Sequence, residues 1–259
     1  MVPPAQLGAI QTRGRATQTA AVCLVHALAR FNELVRSLNT LKLLGAIGRS
    51  GGDLGSIADL VDSFLGSPQM ADCVRRFKAM PGGAALMEQR YPPLQPDIER
   101  LIELPAGTLG RRYAELIHQQ GYDPEFFRPR VIDSDERWLT QRIATTHDIH
   151  HVVSGFGTGR LGESGVLAIT AAQIGFPAYV LLNSAALLGS FRLQIERFEG
   201  LSGAIAHGQT IARQSSCLVL ARWEEGWDKP ISQWRSELGI SEPADSKPYG
   251  LDQELKPSR

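Results

Sequence analysis

Residues 133–163 read DSDERWLTQRIATTHDIHHVVSGFGTGRLGE. Asp133 and Glu136 have the spacing of a capping box, and nothing between them and about Val153 breaks a helix. Gly155, Gly157, Gly159 and Gly162 then end that helix and let the backbone fold back, so Glu163 opens the next one. On a helix, His147, Asp148 and His151 stand at i, i+1 and i+4, within about 100° of one another, and can converge on one point. Glu163, twelve residues after His151, is placed to face the same point. Two imidazoles and two carboxylates form a donor set that suits zinc and accepts iron, manganese or magnesium. The plainer reading is polar decoration of a helix C-terminus, where His⁺ complements the dipole. The glycine loop and its Glu favour the metal. His150 lies about 60° to the other side of His147, as a supporting or substitute ligand or a packed histidine.

Working outward, the stretch Ser164–Phe191 carries no charge. Its length would span a bilayer, the alternative reading, but Gln173, Gly175, Pro177 and Asn183 divide it into two helices of about a dozen residues each, the length of core or interfacial helices. This sets an apolar wall, and an apolar cavity, beside the polar site. Upstream, Ser56 precedes an apolar stripe of Ile57, Leu60, Val61, Phe64 and Leu65 that stops at Gly66 and Pro68. A short helix follows through Met70, Val74 and Phe77, and RYPPLQP is an extended crossing because proline excludes helix there. Another helix runs from Thr108 to Gly121. Strand alternation is weak and no Asn-Gly or Asp-Gly hairpin has apolar flanks. The fold class is therefore all-α, a single-domain bundle of roughly antiparallel helices, with residues 1–50 as a helical extension, 51–241 as the core and 242–259 as a flexible tail.

Composition agrees. Of 259 residues, 43% are hydrophobic and 21% charged, and 27 Lys and Arg balance 27 Asp and Glu, which removes the basic excess that nucleic-acid binding needs. Cys23, Cys73 and Cys217 are odd in number and far apart, against a disulfide framework or thiolate metal site. The Arg13, Arg15 and TAAVCLVHALA run looks like a secretory signal, but the apolar spacing continues through Phe31, Val35 and Leu38, as an ordinary helix would. Trp223, Trp227 and Trp234 read first as core residues and second as a membrane-interface belt.

The spaced motif H-D-x-x-H, eleven residues, E, with RYPP and LPAGTLGRRY before it and LGE, QIGFP, RWE and ELGI around and after it, resembles the coenzyme Q biosynthesis protein 4 family over roughly residues 55–240. The resemblance implies an all-α protein of ubiquinone synthesis in which His147, Asp148, His151 and Glu163 hold a divalent metal, with zinc first. It implies oxidative decarboxylation at ring carbon C1 of a prenylated hydroxybenzoate, with His147 and Asp148 as catalytic residues. The alternative is a non-catalytic prenyl-lipid scaffold for other quinone-biosynthesis proteins. The implied location is peripheral: the matrix face of the mitochondrial inner membrane in a eukaryote, the cytoplasmic face in a bacterium. The partners are then a prenylated aromatic precursor, a membrane surface and pathway proteins, with a homodimer left open and nucleic acid excluded. A soluble H-D-type phosphohydrolase is the weaker third reading, since no P-loop cradles a phosphate.

Overall fold

The computed structural model describes residues 35, 39–47, 54–92, 94–121 and 131–254. The chain divides into two compact units, Met1–Ser63 and Phe64–Arg259. In the first, residues 39–47 are helical and α1 spans Leu54–Asp62. Ser56 therefore lies inside α1 and does not cap it, and Phe64 and Leu65 fall in a turn. The expected amino-terminal helix lies outside the described residues except at Val35.

The second unit opens on α2, Pro68–Ala79, whose start is fixed by the Ser67 hydroxyl accepting from the Met70 amide and by proline at the first helical position. Its Met70, Cys73, Val74 and Phe77 face the core. Short α3, Gly83–Glu88, and α4, Ile98–Leu101, flank the proline-rich crossing, which is non-helical where described. α5 spans Leu109–Gln120, between a Thr108 cap and Gly121 at φ 63°. α6 spans Asp135–Ser154 and is capped by Ser134, whose hydroxyl accepts from the Arg137 amide. The cap is one residue later than the spacing of Asp133 and Glu136 implies. Asp133 instead pairs with the Arg137 side chain at 3.2 Å, and Glu136 accepts from the Gly66 amide.

The charge-free stretch supplies most of α7, Arg160–Ile174, and α8, Pro177–Leu193, separated where Gly175 adopts φ 72°. Asn183 does not divide them. It is buried within α8 and donates to the Ser164 carbonyl at 3.0 Å, which ties the two helices as an antiparallel pair. Gln194 reverses the chain into α9, Ile195–Gln214, which runs back beside α7. Gln173 near the end of α7 donates to Ser215 and Ser216 and accepts from the Leu218 amide. Midway, a Cβ on Gly208 would collide with the Gly165 carbonyl, so these helices approach where neither bears a side chain. Gly208→Ala should cost about 2 kcal/mol through overpacking. Chemical denaturation measures it, and a loss under 0.5 kcal/mol, the ordinary scale of surface substitutions, would refute the close crossing.

Two 3₁₀ turns, α10 at Ile231–Leu238 and α11 at Leu251–Glu254 complete the unit. Among the described residues there is no strand, only isolated bridges at Thr108–Pro230 and Phe156–Gly250. Trp223 and Trp234 are core residues, 4.8 Å apart between ring centroids, and Trp227 packs half-buried against Tyr113. Arg142 on α6 is also fully buried. It pairs with Glu224, donates to the Val219 and Ala221 carbonyls and lies over the Tyr91 ring, joining α6 to the turn that carries Trp223.

One expectation needs correction. Residues 242–254 are not a free tail: the Ala244 amide donates to Ser154, Asp245 pairs with Arg235 and Leu251 is fully buried. Residues 255–259 lie outside the described set. α8 and the start of α9 turn apolar side chains outward, with Val180 46%, Leu188 63%, Phe191 55% and Ile195 61% exposed. No helix among the described residues is long and apolar enough to cross a membrane.

Candidate metal centre

His147 and His151 lie one turn apart on α6, so their imidazoles share a face. Gly155 ends the helix at φ 78°, its amide donating to the His151 carbonyl, and the chain turns through residues 155–159 into α7. At Gly162 a Cβ would collide with the Gly157 carbonyl. Glycine there lets the first turn of α7 rest on the loop and brings Glu163 over the histidines. A carboxylate in the first turn of a helix is also favoured by the dipole.

His147 Nε2 is 3.0 Å from Glu163 Oε1, His151 Nε2 is 3.0 Å from Glu163 Oε2, and the two Nε2 atoms are 3.2 Å apart. Donors bound tetrahedrally to one zinc at about 2.0–2.1 Å lie about 3.3 Å from each other, so these spacings fit a shared ion. His151 is oriented for that role. A carbonyl can only accept, so its Nδ1–H donates to the Phe156 carbonyl at 3.1 Å, leaving Nε2 as the lone-pair nitrogen that faces the other donors. His147 lacks such a tether: its buried Nδ1 has no hydrogen bond among the described residues.

Asp148 is not brought into this trio, which comprises His147, His151 and Glu163. At i+1 it is turned about 100° from His147, whereas His151 at i+4 is turned only about 40°. Its charge still acts on both histidines and on the buried hydroxyls of Tyr113 and Tyr179. Burial raises the Asp148 carboxyl above its usual range, against the pull of His147 and His151. His150 is buried against Trp223 and is a core residue, with burial holding its ring well below ordinary basicity. Tyr179, whose ring centroid lies 5.9 Å from that of His147, and the Phe156 carbonyl join the site without any signal in the sequence beyond an aromatic inside the glycine loop.

Burial acts to lower the His147 pKa, but Glu163 outweighs it and raises the value to about 8. Burial likewise opposes the Glu163 charge, and the two histidines hold that carboxyl far below its normal range. A cation held by this trio would have to displace the proton that Glu163 favours on His147. Apparent zinc affinity should rise with pH, by up to about tenfold per unit, and level off above about pH 8. Chelator competition from pH 6 to 9 checks it; a flat profile would contradict the displaced proton.

Three comparisons bear on this arrangement. The profile of the family described as coenzyme Q (ubiquinone) biosynthesis protein Coq4 matches residues 55–244. The ubiquinone biosynthesis protein COQ4 homolog, mitochondrial, of Rattus norvegicus is 32% identical over 174 residues, 65% of this chain and 64% of the relative. The Homo sapiens homolog is 31% identical over 170 residues, 63% of this chain and 62% of the relative. The chain thus spans somewhat less than two thirds of the length of these curated relatives. A crystal structure from Nostoc punctiforme, described as a candidate ubiquinone biosynthesis protein, superposes with a TM-score of 0.72 at 28% identity, over 80% of this chain and 97% of that one. The family match extends over well more than half of the sequence and takes in His147, Asp148, His151 and Glu163 together, and the chain belongs to the coenzyme Q (ubiquinone) biosynthesis protein Coq4 family.

Proposed function

We propose that the chain acts in ubiquinone synthesis as a metal-dependent enzyme, carrying out oxidative decarboxylation at ring carbon C1 of a prenylated hydroxybenzoate. The observation that carries this reading is the count of donors. Among the described residues three protein atoms converge, from His147, His151 and Glu163, and three protein ligands would leave a four-coordinate ion one position for a substrate, whereas structural sites are closed by four. The trio is also reachable from one side: the His151 side chain is 1% exposed and that of Glu163 40%.

A divalent ion bound there, zinc first and iron, manganese or magnesium as compatible alternatives, would supply positive charge to the carboxylate or phenolate head of the substrate. The residues do the rest. His151, held by Phe156, and Glu163, held by the first turn of α7, orient the head group, and His147 completes the grip. Asp148, outside the donor set but within its field, accepts the phenol proton and leaves an electron-rich ring. The bond from C1 to the carboxyl carbon then breaks and carbon dioxide leaves, water supplies the hydroxyl that takes its place, and dioxygen, as the oxidant, accepts the two electrons and two protons and leaves as hydrogen peroxide.

The outward apolar side chains of α8 support a peripheral site at a membrane, from which a prenylated substrate would be drawn. The mitochondrial names of the relatives support a mitochondrial location. That exposed face also favours the second reading, a prenyl-lipid scaffold that presents intermediates to other quinone-biosynthesis proteins. Quinone intermediates extracted from cells lacking the protein test the pathway step: an accumulated ring carboxylate supports decarboxylation. Restoration of quinone synthesis by a protein that releases no carbon dioxide from the prenylated hydroxybenzoate would establish the scaffold instead.

A further inference from the structure

The segment after α10 closes over the loop between His151 and Glu163. The Ala244 amide donates to the Ser154 carbonyl, the Leu251 amide to Gly155, and the Gly157 amide to the Tyr249 carbonyl, at 2.8, 2.8 and 2.9 Å. Both chain directions of the loop are thereby held by one strap. Phe156 lies between these bonds, bridged to Gly250 and stacked on the Tyr249 ring at 5.5 Å and 22°. Its carbonyl is the group that receives the His151 Nδ1–H. The Tyr249 hydroxyl meets His207 Nδ1 at 3.1 Å, and His207 also packs on Phe156.

Arg235 secures the other end. It donates to the Val152 and Val153 carbonyls, at the last turn of α6, and forks onto both Asp245 oxygens at 3.0 and 2.7 Å. A cation at those orphan carbonyls is favourable in itself. The approach is tight: a Cβ on Gly155 would sit 2.7 Å from the Asp245 amide nitrogen. Residues 245–251 lie beyond the stretch matched by the family profile, which ends at 244.

We propose that residues 244–251 and Arg235 form a clamp that positions the metal ligands, acting on His151 through Phe156 and on Glu163 through the glycine loop. This rests on the metal reading. The clamp touches neither ion nor substrate, so its residues are positioning residues, and their loss acts through ligand orientation in the way that loss of a ligand's hydrogen-bond partner does.

The test is zinc affinity of the full chain by chelator competition, with hydrogen exchange along the backbone as a readout independent of activity. Tyr249→Ala removes the stack on Phe156, and Asp245→Asn removes the charge that holds Arg235 while keeping the shape. Each should weaken zinc binding by roughly 10–100-fold and speed exchange in residues 155–163, leaving protection in α7 and α9 beyond the loop unchanged. Tyr249→Phe, which keeps the stack, should recover most of the affinity. Zinc held equally by wild type and both variants would overturn the clamp alone. Exchange that rises throughout the second unit would overturn it too, by showing a general loss of stability. Absence of zinc binding by wild type would remove the metal reading and the clamp with it.

Discussion

His151→Ala is expected to leave the protein without zinc at metal concentrations that saturate wild type. His151 is the most constrained of the three candidate ligands: fully buried, with Nδ1 committed to Phe156 and Nε2 aimed at His147 and Glu163. Its loss leaves two donors, one of them an untethered imidazole. The fall in affinity should exceed the roughly 10–100-fold that follows loss of a mere supporting partner. Because His151 is buried, alanine also opens a small cavity, and a drop in metal content could reflect a weakened fold. Glu163→Gln separates these causes. That side chain is 40% exposed, and glutamine keeps its shape while removing the charge that both imidazoles face. Zinc should be lost in both variants by elemental analysis, with helical circular dichroism close to wild type. Full occupancy in both would eliminate this site.

The elements that could be read in the sequence are those whose boundaries are set locally. Thr108 and Gly121, and Gly175 with Pro177, each fix a helix end by their own hydrogen bonding or backbone preference. The His147 and His151 pair was legible for the same reason, since i and i+4 on a helix always share a face. Errors arose where two local solutions compete or where the decisive partner is remote. Asp133 and Ser134 are both good caps, and the extended backbone at Ser134 decided between them. Asp148 falls within the converging arc of the helix, and only the placement of Glu163 shows that the donors it meets are His147 and His151. The docking of the carboxyl-terminal strap has no signal in the sequence because its bonds reach Ser154, Gly155 and Gly157, some ninety residues away, and hydrogen bonds of that separation leave no periodic trace. Arg142 was invisible for a related reason: a buried guanidinium needs Glu224 and two distant carbonyls to be tolerable.

That division gives Asp148→Asn a sharp expected outcome: metal content should stay at the wild-type level while turnover falls about a hundredfold or more, the usual scale for a group acting in the transition state. The substitution preserves shape, and Asp148 supplies no atom to the trio of His147, His151 and Glu163. What the amide lacks is the capacity to accept a proton and the negative charge that acts on both imidazoles. If Asp148 takes the phenol proton, the amide leaves the ring protonated and poorly reactive toward oxidant. Binding of the prenylated substrate should barely change, because affinity for a long apolar chain rests mainly on buried area. A fall in the rate constant without a rise in the half-saturating concentration is the signature of a group used only in the transition state. Release of carbon dioxide from the ring carboxyl, followed at matched zinc occupancy for wild type and Asp148→Asn, decides between three results. Turnover lost with metal retained supports Asp148 as the base. Metal lost in proportion to turnover would make the carboxylate a fourth ligand and turn the site from an open into a closed one. Equal turnover by both proteins would place the proton transfer on another group, with Tyr179, whose ring stands 5.9 Å from His147, as the next residue to replace.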